Sequence, residues 1–410
     1  MTRHSRRSFL TRSLALGCSM AASPLMTPVT FASAPWDNRL VVIILRGGLD
    51  GLDAVRPVGA PEFNALRGGL LNTAEDPAAL DLDGFFALHP GLSDLMPLWR
   101  SGQLSFAHAV STPYRDKRSH FDGQDILEAG TGAPGLEHTR NGWLNRLLSE
   151  VPGATAETAF AIGRQSMLLT KGTAPVSDWS PEASLVLSTQ AERLLDLVTH
   201  DDPLFRDALI EAIDLSQSGV MNLDEEVDTA DMLNAMQDMA KPAARGKAVT
   251  QIASFAASRL KMDTRIAAYS LSGFDTHANQ SRGISRALTQ IADNILTLKA
   301  ELGPVWGKTT VVAMTEFGRT VRVNGTGGTD HGTGGLMIMA GGALKGGRVV
   351  TDWPGLSEAA LYQGRDLMPT RDLRAHAGWI MRGLFGLDRG LIENTVFPGL
   401  DLGDNPGLLL

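Results

Sequence analysis

The chain has 410 residues, with 45 acidic side chains against 37 basic ones and a single cysteine, Cys18. A net charge of −8 argues against a general nucleic-acid binder, whose affinity comes from neutralising phosphates with Lys and Arg. One thiol excludes an internal disulfide, iron–sulfur clusters, thiolate zinc and covalent c-type haem.

The first element in chain order is an expected export signal over residues 1–34. "SRRSFLTR" sets Arg6 and Arg7 before Phe9 and Leu10, the apolar run "LALGCSMAASPLM" follows, and small residues gather at Ala32 to Ala34. A basic start, an apolar centre and small residues make a signal peptide, and the paired arginines direct it to the twin-arginine machinery that exports folded proteins. Cleavage is expected near Ala32, because Pro35 disfavours a cut after Ala34; Arg12 interrupts the run before Cys18 and spoils a lipoprotein site. Removing this segment takes the only thiol and four arginines, which carries the net charge to −12. No later apolar run approaches the roughly 20 residues of a bilayer span. The expected product is therefore a periplasmic or extracellular protein with no membrane span, over residues 35–410.

That mature chain opens on "RLVVIILRGGLDGLDAV", where Leu40 to Leu45 is a continuous apolar run ending in a glycine turn. Such runs read as strands buried on both faces of a parallel sheet. Leu104 to Val110, Arg265 to Leu271, Thr309 to Thr315 and Leu336 to Ala340 repeat the form. Between them lie helical patterns, among them "SHFDGQDILEAG", "RGKAVTQIASFAASRL" and "RALTQIADNILTLKAELG". Alternation of this kind predicts an α/β fold, a three-layer sandwich around a mostly parallel sheet. The stretch from about Ala154 to Arg245 breaks the pattern: it is acidic, Met-bearing and helical, with no convincing strand, and reads as a helical insertion, either a cap or an elaborated crossover.

The polar residues gather after the strands. Asp50 follows the first; Ser119, His120 and Asp122 follow the second; Asp275 and His277 follow the third; Glu316 and Arg319 follow the fourth and run on to Asp330 and His331 in "GTGGTDHGTGG". In open parallel sheets the carboxyl edge is where ligands bind. Two Asp–His pairs with further carboxylates and no cysteine suit one or two divalent cations, Zn, Mn, Mg or Ca. The metal candidates are Asp50, Asp275, His277, Asp330, His331 and Glu316. A cation pair would clamp an in-line displacement at phosphorus or sulfur, with Arg319 or Arg118 on the remaining oxygens. Ser119 reads both as a helix N-cap and as a nucleophile, and His120 joins it as a catalytic candidate. "GPVWGKTT" is one residue short of a phosphate loop and precedes a strand, no G-x-S-x-G elbow occurs, and His108 and His376 lack ligand-like neighbours.

Together "RGGLDGLDAV", "RSHFDGQDILEAG", "GFDTHANQ", "TEFGRT" and "GTDHGTG" resemble the domain-of-unknown-function family 1501, over roughly Arg39 to Pro398. That family is grouped with the alkaline phosphatase and sulfatase superfamily. The resemblance implies an alkaline phosphatase-like fold, with Asp50 as first-strand metal ligand, Ser119 as nucleophile, Asp275 with His277 on one metal and Asp330 with His331 on another. It also implies a late histidine, where this chain has only His376, and it leaves Thr112 as a rival nucleophile. Glu316 or His120 is then the candidate to replace the missing ligand. The expected function is that of an exported metal-dependent hydrolase of phosphate or sulfate esters, small-molecule or glycan. The alternative is a degenerate member that binds an anionic glycan or a cell-envelope partner.

Overall fold

A computed structural model describes residues 36–71, 79–115, 117–132, 141–163, 167–180 and 242–410, with side chains of 242–248 excepted. The expected export signal over 1–34 lies outside the described residues, as does most of the expected insertion over 154–245.

Nine strands form one sheet. They are β1 (Arg39–Arg46), β2 (Leu104–Ser111), β3 (Ala159–Ile162), β4 (Ser177–Trp179), β5 (Ile266–Ser272), β6 (Thr309–Thr315), β7 (Gly335–Ala340), β8 (Val349–Val350) and β9 (Arg371–Asp372). The order across the sheet is β8-β2-β7-β6-β1-β5-β3-β4, and β9 pairs with the end of β2. β1 lies centrally and pairs in parallel with both β5 and β6. β7 alone runs against its neighbours, antiparallel to β2 and β6. β3 and β4 fall inside the stretch where the sequence shows no convincing strand. They are only four and three residues long, too short for a readable period, and they extend the sheet at one edge by parallel pairing.

The strand β1 explains the layering. Successive side chains of a strand point to opposite faces, and every residue from Leu40 to Leu45 is buried. Val41, Ile43 and Leu45 pack with the helices α5 (Pro242–Leu260) and α6 (Gln280–Leu302). Leu40, Val42 and Ile44 pack on the other face with α4 (Trp143–Ser149) and α7 (Leu373–Phe385). Two further helices, α2 (Phe63–Leu71) and α3 (His120–Ala129), lie nearer the carboxyl edge, and the four-residue α1 (Gly51–Ala54) follows β1 directly. This is a three-layer α/β sandwich with a mixed, mostly parallel sheet. No described helix is long and apolar enough to cross a membrane.

Two histidines set apart in the sequence belong to this scaffold. Burial pushes His108, on β2, down to about 4 and His376, on α7, down to about 3, from an ordinary 6.5. The His376 Nδ1 has no hydrogen-bond partner in the core. The unfolded chain takes up these protons near pH 6.5 while the folded chain refuses them until about pH 4 and 3, so stability is lost as pH falls across that window. The expected slope is about 1.4 kcal/mol per pH unit for each histidine. His376→Leu should stay folded and flatten the slope by one such share, read from urea midpoints between pH 6.5 and 4; an unchanged slope would show that His376 charges freely in the native state.

Candidate metal centre

The loops after β1, β2, β5 and β6 open at one edge of the sheet, and because β7 is reversed, the loop that precedes it reaches the same edge. Glycine makes this crowding feasible. Gly47, directly after β1, sits at φ +118, and a Cβ there would lie 2.6 Å from the Asp275 backbone nitrogen. Gly328 presses on the His277 carbonyl, where a Cβ would come within 2.4 Å. These approaches bring "GFDTH" and "GTDHG" together.

Three imidazoles meet there in one arrangement. His120 Nδ1 lies 2.8 Å from Glu316 Oε1, His277 Nδ1 lies 3.1 Å from Asp330 Oδ1, and His331 Nδ1 lies 2.8 Å from the Arg118 carbonyl. All three partners are pure acceptors, so each Nδ1 carries the proton and each neutral ring keeps its Nε2 lone pair. The three Nε2 atoms turn to Asp275: His120 at 3.5 Å from Oδ2, His277 at 3.1 Å and His331 at 3.3 Å from Oδ1. The Nε2 atoms of His277 and His331 face each other at 2.9 Å, a meeting of two lone pairs that calls for a cation. The His120 Nε2 is buried and makes no hydrogen bond. Ligand atoms of His120, Asp275 and His331 all lie within 4.8 Å of one another. An Nδ1–H held by a carboxylate or carbonyl is how proteins orient a metal-binding imidazole and raise its basicity.

The electrostatics fit this arrangement. The Glu316 hydrogen bond raises His120 above its ordinary value, while burial, helped by Arg319 and His120, lowers His331. Burial alone would push the Glu316 carboxyl up, but hydrogen bonds from His120, Gln124 and the Gly47 N–H hold it below the usual range. Asp275 is likewise lowered: burial opposes its charge, and the hydrogen bond and charge of Arg319 outweigh that. Asp330 is held down mainly by the Asn324 amide.

The sequence candidates therefore divide. Asp275, His277, His331 and His120 converge. Glu316 and Asp330 stand one ring behind, on the far nitrogens of His120 and His277. Arg319 is fully buried and spends its guanidinium on Asp275 and on the carbonyls of Gly48, Thr329, Gly47 and Phe274. Ser119 caps α3, its hydroxyl accepting from the Asp122 N–H at 3.4 Å. Thr112 is buried, with its hydroxyl on the Tyr114 N–H at 3.3 Å.

Asp50 does not join the cluster. Its carboxylate takes the Arg67 guanidinium at 2.5 and 3.2 Å, the Gln280 amide at 2.7 Å, the Thr329 hydroxyl at 3.3 Å and the Asp53 N–H at 3.2 Å. Arg67 holds Asp50 ionised against its burial. Reasoning from sequence missed Arg67 and Gln280, since an arginine in "FNALRGGLL" and a glutamine opening a long helix carry no local signal. Arg118 gains a role through its backbone: it sits at φ +54, where a non-glycine residue is strained, and its carbonyl receives His331.

The family model described as protein of unknown function (DUF1501) matches residues 37–377. No curated protein matches the chain. Among solved structures, the chain is similar to the alkaline phosphatase from the Antarctic bacterium TAB5, with 10% identity over 75% of this chain and 91% of that one and a TM-score of 0.36. It is similar to the lipoteichoic acid synthase LtaP from Listeria monocytogenes, at 9% identity, covering 70% of this chain and 58% of that one, with a TM-score of 0.32. It is also similar to the C-terminal periplasmic domain of EcEptC from Escherichia coli, in complex with Zn, at 10% identity, 76% and 74% coverage and a TM-score of 0.31.

Glu316→Gln keeps the side chain's shape but removes the charge behind His120. Outer partners of this kind are worth about 10–100-fold in metal affinity. Zinc titration of the stripped protein should show a loss of that size with an unchanged circular dichroism spectrum. Equal affinity in the variant would mean that His120 is not a ligand.

Proposed function

The chain belongs to the DUF1501 family, and from the site at its sheet edge we propose that it is an exported, metal-dependent hydrolase of phosphate or sulfate esters. The observation that carries this reading is the set of three imidazoles, each pinned at Nδ1 and each directing Nε2 at Asp275. The paired arginines of the N-terminal segment support export in the folded state, a route compatible with loading a metal first.

His120, His277 and His331 would hold the cation through Nε2, and Asp275 through a carboxylate oxygen. A divalent ion bound there supplies Lewis acidity and lowers the pKa of water. The rest falls to the chain's own groups. Ser119, adjacent to His120 at the start of α3, is the nucleophile candidate, and the burial of Thr112 weighs against its rival. Arg118 takes over the anion-holding role expected of Arg319. Its side chain is partly exposed, one Nη donates to Asp366 at 3.2 Å, and its Nε has no partner. A guanidinium in that state suits the non-bridging oxygens of a phosphoryl or sulfuryl group. Asp366 is itself buried between Arg118, Arg365 and the Thr333 hydroxyl, which fixes the guanidinium beside the backbone of His331.

A second reading has an observation of its own. The Ser119 hydroxyl is engaged as a helix cap, which favours a family member that binds an anionic glycan or envelope partner without turning it over. Turnover of nitrophenyl phosphate, a nitrophenyl phosphodiester and nitrophenyl sulfate by the metal-loaded protein separates the two. The hydrolase reading expects turnover that a chelator abolishes, background activity in folded His331→Ala, and a fall in kcat on the order of a hundredfold or more in Ser119→Ala. Bound metal with no turnover of any ester would leave the binder.

A further inference from the structure

The metal-centre reading leaves open how many cations the edge holds and of what kind; the donors on the page settle both, provided that reading stands. We infer that the chain takes one imidazole-preferring transition-metal ion, and that the Arg67 guanidinium permanently supplies the positive charge that Asp50 would otherwise draw from a second cation.

The first step is to count donors. A second cation needs oxygen or nitrogen atoms that are not already spent. A carboxylate offers about four lone-pair positions, and Asp50 receives five donor contacts from Arg67, Gln280, Thr329 and Asp53. Neighbouring Asp53 is closed in the same way by Arg56 at 2.8 and 3.0 Å and by Gln280 at 3.0 Å. Glu316 gives Oε1 to the Gly47 N–H, Gln124 and His120, and Oε2 to the Thr315 hydroxyl. Asp330 gives Oδ1 to His277 and Asn324 and lies on the far side of the His277 ring from Nε2. What is left uncommitted at Nε2 level is one set: three imidazoles and Asp275.

The second step concerns charge. Arg67 and Asp50 are each 1% exposed, and the guanidinium is further tied to the Val321 carbonyl at 2.7 Å and the Thr320 carbonyl at 2.8 Å. Arg56 pairs Asp53 in the same pocket, so two buried arginines already balance two buried aspartates. A dication at Asp50 would have to evict a guanidinium that has no water to move into, which a buried, hydrogen-bonded pair resists. The guanidinium is thus a built-in counter-ion. Its ties to Thr320 and Val321 connect that ion to the loop that carries Arg319 and leads on to Asp330.

The third step is chemical class. Magnesium and calcium take oxygen ligands, magnesium in near-ideal octahedra. Three imidazole nitrogens with one carboxylate suit zinc, iron, nickel or copper instead. Of the cations the sequence admits, zinc is the one this set selects.

The test is a metal titration of the chelator-stripped full chain, read by calorimetry and elemental analysis, with zinc, magnesium and calcium as probes. The expected result is one equivalent of zinc, not displaced by millimolar magnesium or calcium. Asp50→Asn should keep that equivalent while its melting temperature falls, whereas His277→Ala should lose the zinc while the stripped protein's melting temperature holds. Two equivalents of zinc in the wild type, tight magnesium or calcium binding, or a folded Asp50→Asn protein that has lost zinc would each overturn the inference and leave the metal centre standing. No zinc in the wild type would overturn the metal centre itself. If Asp50→Asn does not fold, the wild-type stoichiometry decides alone.

Discussion

An imidazole presents a usable lone pair at one nitrogen only when the other is held by an acceptor, and the whole edge of this sheet is arranged around that requirement. The three acceptors come from three different loops: Glu316 after β6, Asp330 before β7 and the Arg118 carbonyl ahead of α3. None of the histidines could be oriented by its own loop. The reversed strand β7 matters for this reason. It returns the chain to the carboxyl edge, so that Asp330 and His331 arrive from a strand's beginning while Asp275 and His277 arrive from a strand's end. The strain of Arg118 in the left-handed region has the same origin, since only that turn aims its carbonyl at His331.

Buried guanidinium groups do the remaining positioning. Arg319 reaches Asp275 while bonding carbonyls on the β1, β5 and β6–β7 loops, so it joins the segments that supply the ligands. A planar fork with five donors and no tendency to deprotonate is suited to this; a lysine has neither the reach in several directions nor a permanent charge when buried. The consequence is that Arg319, though close to the reacting centre, cannot serve a substrate, and the anion-holding role passes to an arginine with donors to spare.

How much of this was legible depends on range. Strands buried on both faces announce themselves as apolar runs, and β1, β2, β5, β6 and β7 lie within a residue of where their runs predict. The short strands β3 and β4 were not legible, because three or four residues at a sheet edge carry no period and are defined only by the neighbour they pair with. The direction of β7 was not legible either, since an apolar run reads the same way up or down. At the site, the residue types and their common edge were visible, but their division into ligands and holders was not. Asp330 and His331 are adjacent in sequence, yet the aspartate stands behind a different histidine, His277, fifty-three positions away. Glu316 and His120 form the same kind of pair across 196 positions.

Asp50 makes the limit sharpest. In "GGLDG" an aspartate after the first strand of a parallel sheet looks the same whether its counter-charge is a metal or a side chain. The residue that decides is Arg67, seventeen positions on, on a helix whose local pattern is only apolar. A metal ion and a guanidinium are interchangeable solutions to one electrostatic problem, the neutralisation of a carboxylate that folding has removed from water. They are not interchangeable chemically, because a guanidinium cannot exchange ligands or polarise a bound water. A fold that answers the problem at one aspartate with arginine and at another with three imidazoles has thereby separated the charge that holds the edge together from the charge that is free to act.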